Sequence, residues 1–226
     1  CTSELMSGLG SLAEAYNVPV QSHLSENHGE IDWVAALHPE AANYTDVYYE
    51  HHLMGKVPTV MAHCIHLSDV EMDRMAETQT MVSHCPYSNV NLSSGIAPIR
   101  KLFERKIPIG LGSDISGGHI VSMAKVLTEA IGLSKMKWVE VDQTYAPLTL
   151  SEAFYMATKG GGKFFGKVGS FEKGCELDAL VIDDTTLFDP NERSLEERLE
   201  RWLYVGDDRH IVERYVAGKV TPEPTN

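Results

Sequence analysis

Four short apolar runs, each closing on a side chain that can bind a metal or move a proton, constrain this chain more than any other feature. They span residues 18–23, 57–63, 80–84 and 107–114, and they end at His23, His63, His84 and Asp114. Runs this short, rich in Val, Ile, Thr and Met and separated by longer helical patterns, read as buried strands. Strand and helix therefore alternate four times, which predicts an α/β fold with a parallel sheet and right-handed crossovers. Four such units make half of an eight-stranded barrel. In sheets and barrels of this kind the active site forms at the carboxyl ends of the strands, where the four closing residues would lie.

The stretches between the runs support this order. Leu5, Leu9, Leu12, Ala13 and Tyr16 recur at helical spacing before the first run. After it, a short helix with Ile31, Val34 and Ala35 leads into a predicted loop over residues 43–48. Ser68 and Glu71 form a capping box with Leu67 and Met72 as its hydrophobic staple, starting a helix that buries Met72, Met75 and Ala76. The third run breaks at Cys85-Pro86, and a helix over about 96–106 leads to the fourth. Beyond the Gly117-Gly118 turn, Ile120, Met123, Leu127, Ala130 and Ile131 follow the 3.6-residue period. Thr149 and Glu152 cap one more helix, to about Thr158, which the Gly160-Gly161-Gly162 run should end.

The remainder differs in character. Short strands are predicted over 168–171 and 178–183, with a helix capped by Ser194 and Glu197 that buries Leu195, Leu199, Trp202 and Leu203. Residues 211–220 read as a hairpin with a Gly turn. Two domains are expected: a barrel segment over residues 1–166, and over 167–226 part of a small composite β domain with a terminal helix and hairpin.

Bulk properties exclude several classes. A chain of 226 residues, 43% hydrophobic and 23% charged, can bury a sizeable core. No apolar run reaches the roughly 20 residues of a membrane span, and the N-terminus has no basic flank or apolar core of a secretory signal. The net charge of −13 disfavours nucleic acid and anionic membranes as partners. Four scattered cysteines without a CxxC pair read as free thiols of a reducing compartment, which predicts a cytoplasmic location. The start at Cys1, directly in a helical pattern, predicts a fragment or a processed chain.

A zinc-type ion takes imidazole and carboxylate ligands and keeps one position for water, and His23 and Asp114 at strand tips could supply two such ligands. Each has a plainer reading. A lone strand-end histidine is usually a hydrogen-bonded or surface group, Asp114 could cap the following helix, and Glu26 could be a solvated acid of a first turn. Together, at consecutive strand ends, they point to a functional site. His84 is intermediate, and His28, His38, His51, His52, His66, His119 and His210 read as polar loop or helix-end residues. No GxGxxG surrounds Gly117-Gly118, and no HxE…PCxxC signature of the cytidine-deaminase fold is present.

Gln21-Ser22-His23-Leu24-Ser25-Glu26-Asn27, Ala62-His63, His84-Cys85-Pro86-Tyr87-Ser88-Asn89 and Gly112-Ser113-Asp114 resemble the later half of the amidohydrolase superfamily barrel. Asn43-Tyr44-Thr45-Asp46, Asn91-Leu92-Ser93-Ser94-Gly95 and Asp114-Ile115-Ser116-Gly117-Gly118 are similar to its guanine-deaminating subgroup. The resemblance implies the C-terminal half of a TIM-like (β/α)8 metal-dependent hydrolase barrel, strands five to eight, followed by part of a small β-sandwich. It implies one zinc per subunit, or iron, held here by His23 and Asp114, with Glu26 as proton shuttle, His63 orienting water and substrate, and Asp114 also accepting a proton. His23, Glu26, His63 and Asp114 would contact the purine substrate, and a homodimer is expected. The HxH pair that completes the metal site in the family does not occur in the sequence and is expected to precede residue 1. The same residues are shared with relatives acting on cytosine, thioether nucleosides or chlorinated triazines, and with barrels that have lost the metal. Those alternatives stay open at this point.

Overall fold

The computed structural model describes residues 1–221. The four runs form one parallel sheet in sequence order: β1 Val20–Leu24, β2 Thr59–His63, β3 Met81–His84 and β4 Ile109–Leu111. The register is regular, with His23 beside Ala62, Ala62 beside Ser83 and Ser83 beside Gly110. Alternation puts Leu24, Met61, Val82 and Ile109 under the helices, where they join Met72, Met75, Leu102, Leu127, Ala130 and Ile131 in one core. The opposite face carries Gln21, Val60, Ala62, Met81, Ser83 and Gly110 and lines a trough of about 700 Å3 that runs up to Asp114. Within the described residues β1 and β4 each pair on one side only, so the sheet is open at both edges.

Local chemistry explains most element boundaries. Ser68 accepts from the Glu71 amide while Glu71 returns a bond to the Ser68 amide, starting the helix Asp69–Thr78 as the sequence predicts. Thr149 and Glu152 do the same for Leu150–Tyr155. The predicted loop at residues 43–48 is instead the helix Tyr44–Glu50, because the Asn43 side chain accepts from the Asp46 amide and so caps it. Pro86 opens a further helix, Pro86–Asn91, at the position where a missing N–H costs nothing, and the expected 96–106 helix is confined to Ile99–Glu104. The long helix begins at Met123 rather than near Ile120.

Glycines decide three further details, the last two against expectation. The first helix, Ser3–Tyr16, turns Met6, Gly10 and Ala13 inward and leaves Leu5, Leu9, Leu12 and Tyr16 exposed, since Gly10 packs against the backbone of His51. Residues 168–171 form no strand: Gly169 has φ +72° and lies against the Thr158 carbonyl, which breaks the extended run. Gly160 to Gly162 do not stop the preceding helix, which passes through a π-turn, Met156–Gly160, and continues to Gly162.

The C-terminal part is an antiparallel sheet of β5 Ala179–Ile182, β6 Ile211–Val216 and β7 Lys219–Val220, with the predicted hairpin turning at Ala217-Gly218. The capped helix Leu195–Val205 buries Trp202 and Leu203 but leaves Leu195 exposed in its first turn. Lys125 donates to the Leu203 and Tyr204 carbonyls, tying this helix's C-terminal end to Met123–Glu140. Positions 222–226 of the expected second domain lie outside the described residues. No helix among the described residues is long and apolar enough to cross a membrane.

Candidate active site

Three of the strand-end residues converge at the carboxyl edge of the sheet. His63 Nε2 lies 3.7 Å from Glu26 Oε2 and 3.9 Å from Asp114 Oδ2, and its ring centroid is 6.3 Å from that of His23. His63 is buried, whereas the His23 side chain is 65% exposed at the mouth. The backbone makes this meeting possible. Ser25, His63, Cys64 and Asp114 have φ values of 49°, 69°, 52° and 44°, so the chain turns left-handed at the end of β1 and β2 and after β4. By alternation His63 belongs with Met61 on the helix-facing side, but its left-handed backbone takes it out of the pleat and over the strand ends. Such residues cost of order 1 kcal/mol or more each and cluster where function demands them.

Each acid is held by specific groups. Glu26 Oε1 accepts from the Ser94 hydroxyl at 2.8 Å, which leaves Oε2 toward His63. The Glu26 amide donates to Glu30 Oε2, and Glu30 Oε1 accepts from the Tyr44 hydroxyl and lies 4.0 Å from His23 Nδ1. Burial and the neighbouring Tyr48 hold the Tyr44 hydroxyl far above its ordinary range, so it stays a donor. Asp114 does not cap a helix, since the next one begins at Met123 behind Ser122. Its carbonyl accepts from Gly118, and a side chain at Gly117 would meet Asp114 Oδ2 and Ser88 Oγ at 2.6 Å. The Gly-Gly turn is therefore what lets the loop close over Asp114.

The second partner of His63 is Asn89, whose Oδ1 is 2.9 Å from His63 Nδ1, both residues being buried. Neither Asn89 nor Ser94 was assigned a role from sequence; their only sequence signal is membership of the runs 84–89 and 91–95. His84 stands apart from this group. It is buried on the helix side with Nδ1 unpartnered, and burial, then the neighbouring His63, lowers its pKa to about 4, so it is neutral near pH 7. The His28 and His66 rings meet at a tilt of 37° with centroids 4.1 Å apart, and His66 Nε2 donates to the Ser94 carbonyl, so His66 braces the segment that holds Glu26.

The described residues contain no group of three or more His, Cys, Asp and Glu side chains placed to hold a metal. His23 and Asp114, an exposed imidazole and a carboxylate that both lie near His63, have donor chemistry that suits zinc. Two carboxylates close to one imidazole, at the carboxyl end of a parallel sheet, have the chemistry to move protons at a polar substrate.

The amidohydrolase family profile matches residues 1–221, and the chain belongs to that family. Among curated relatives it is 41% identical over 225 residues to the guanine deaminase of Dictyostelium discoideum, covering 96% of this chain and 50% of that protein. It is 38% identical to the guanine deaminase of Escherichia coli (strain K12), covering 90% and 46%. The solved guanine deaminase from C. acetobutylicum, with guanine bound in its active site, superposes with a TM-score of 0.94 at 52% identity, covering 97% of this chain and 52% of that one. The chain thus spans about half the length of the relatives it matches.

Proposed function

We propose that this chain is the C-terminal half of a zinc-dependent guanine deaminase, contributing strands five to eight of a (β/α)8 barrel (residues 1–166) and part of a β-sandwich (167–226). The complete enzyme would hydrolyse guanine to xanthine and ammonia. The observation that carries this reading is the placement of His63 Nε2 between the carboxylates of Glu26 and Asp114, at 3.7 and 3.9 Å. Its support is similarity to guanine deaminases along nearly the whole chain, including one with guanine bound.

In this reading His23 and Asp114 hold the zinc, with an HxH pair from the other half completing the set. When bound, zinc supplies Lewis acidity that makes water nucleophilic near neutral pH. Asp114 takes the proton of the attacking water, which adds to the amino-bearing C2. Glu26 takes the other proton of that water and delivers it to ring N3, breaking the aromaticity that protects C2. The proton held by Asp114 goes to the amino group, which leaves as ammonia as the C2–N bond breaks and the xanthine carbonyl forms. Ser94 holds Glu26 Oε1 and leaves Oε2 to give and take the proton. His63 orients water and substrate between the acids. A cytoplasmic homodimer is the expected setting.

The test is turnover by the complete polypeptide, following guanine loss, xanthine appearance and ammonia release against cytosine, thioether-nucleoside and chlorotriazine substrates. Guanine turnover that Glu26→Gln removes supports the reading; preference for another member of the panel, or no hydrolysis at all, overturns it.

A further inference from the structure

Asn89 is fully buried in the short helix Pro86–Asn91 that follows β3. Its Oδ1 meets His63 Nδ1 at 2.9 Å across 26 residues of sequence, while its Nδ2 is buried without a partner. An oxygen can only accept, so with Oδ1 at this place the hydrogen of the neutral imidazole resides on Nδ1 and the Nε2 lone pair faces Glu26 and Asp114. Turning the amide over would not relieve the cost, since Oδ1 would then be the orphan and His63 would take the other tautomer. In either orientation one buried amide atom goes unsatisfied, which costs stability. An apolar residue would fill the space without that cost, so packing alone does not explain an asparagine here.

The backbone of the same residue reaches the other proton-transfer partner. The Asn89 carbonyl accepts from the Ser94 amide at 2.8 Å, and the Ser94 hydroxyl donates to Glu26 Oε1. One residue thereby fixes His63 through its side chain and Glu26 through Ser94.

We propose that Asn89 is a positioning residue that holds His63 as the Nδ1–H tautomer, aiming a bare Nε2 at the space between Glu26 and Asp114. The separations of 3.7 and 3.9 Å exceed a direct hydrogen bond, and the lone pair is there to accept from a water or substrate N–H that enters between them. This rests on the deaminase reading for its kinetic consequence but not for its structural one.

The experiment compares wild type, Asn89→Ala and Asn89→Asp in the complete polypeptide, with histidine 15N spectra, the His63 signals being assigned from His63→Gln. Expected is an Nδ1–H signal for His63 in wild type and in Asn89→Asp, which keeps the acceptor, and its loss in Asn89→Ala. Expected in kinetics is a fall in kcat of about 10- to 100-fold for Asn89→Ala with KM within about twofold, the scale at which outer partners of an active-site imidazole act, and recovery of most of it in Asn89→Asp. A folded Asn89→Ala with unchanged ring signals and kcat overturns the proposal. If Asn89→Ala does not fold, Asn89→Asp decides: a lost Nδ1–H signal overturns it, a retained one supports it. Should wild type not deaminate guanine, the substrate reading fails while the ring signals still decide the role of Asn89.

Discussion

Gly110 on β4 lies against Gly161 beyond the π-turn so closely that a Cβ on Gly110 would stand 2.9 Å from the Gly161 Cα and 2.9 Å from Met81 Cε. Methionine can move; a helix backbone seated on a strand cannot without shifting the sheet. Gly110→Ala is expected to destabilise the fold by about 1–3 kcal/mol, the usual cost of overpacking, with a matching fall in Tm. A melting temperature equal to wild type would show that the helix end is not seated on β4.

Arg100 donates two bonds to Glu152, and with the Thr149 cap this holds the Glu152 carboxyl down at about 2. The folded value lies below the ordinary carboxylate value of 4.5, so this stability is complete above that pH and is lost as pH falls through about 2. Because the Glu152 side chain is 32% exposed, solvent screening reduces the contribution to about 1 kcal/mol. Glu152→Gln should therefore lower stability at pH 7 and differ little from wild type near pH 2, as read in urea titrations at the two values.

His84 works over a different window. Its pKa is lowered from 6.5 to about 4 by burial and by His63, so between those values the unfolded chain binds a proton that the folded chain refuses. Stability from this group is complete above about 6.5 and declines as pH falls toward about 4, by up to about 3 kcal/mol. His84→Gln should flatten that part of the stability–pH curve; an unchanged slope would contradict the burial argument.

On the proposed reading, Glu26→Gln in the complete polypeptide should cost about 10²–10⁴ in kcat, as loss of a general acid–base does, with substrate binding largely kept. Ser94→Ala, which frees Glu26 Oε1 but leaves the carboxyl in place, should cost less, about tenfold. A Ser94→Ala loss as large as that of Glu26→Gln would mean that Ser94 itself touches the reacting atoms.

The isolated segment should form no xanthine and be poorly soluble. Its described part exposes Leu5, Leu9, Leu12 and Tyr16 on one helix and leaves β1 and β4 unpaired on their outer sides. Steady xanthine formation by the purified segment, or a monodisperse soluble preparation, would refute this.

What the sequence discloses divides along contact range. His23, His63, His84 and Asp114 were visible because each closes an apolar run, and the caps at Ser68, Thr149 and Ser194 because each is a three-residue pattern. The helix at Tyr44 was missed because its start depends on one side-chain bond from Asn43 and its 43–48 stretch has little apolar periodicity. The helical spacing at the start of the chain predicts the first helix but not its inward face, which a glycine packing on backbone, not the leucines, decides. Asn89 and Ser94 stand within quoted runs, but their contacts could not be read: they reach across 26 and 68 residues, and only the fold brings those partners to hydrogen-bond length.

The left-handed backbone at Ser25, His63 and Asp114 sets the terms on which this sequence can drift. Each is a position where an L-residue with a side chain costs roughly 1 kcal/mol that glycine would not. Keeping these side chains holds the molecule below the stability that its own scaffold permits. On the proposed reading, a descendant released from catalysis would gain by exchanging His63 and Ser25 for glycine, so decay of function at these strand ends would be rewarded with robustness.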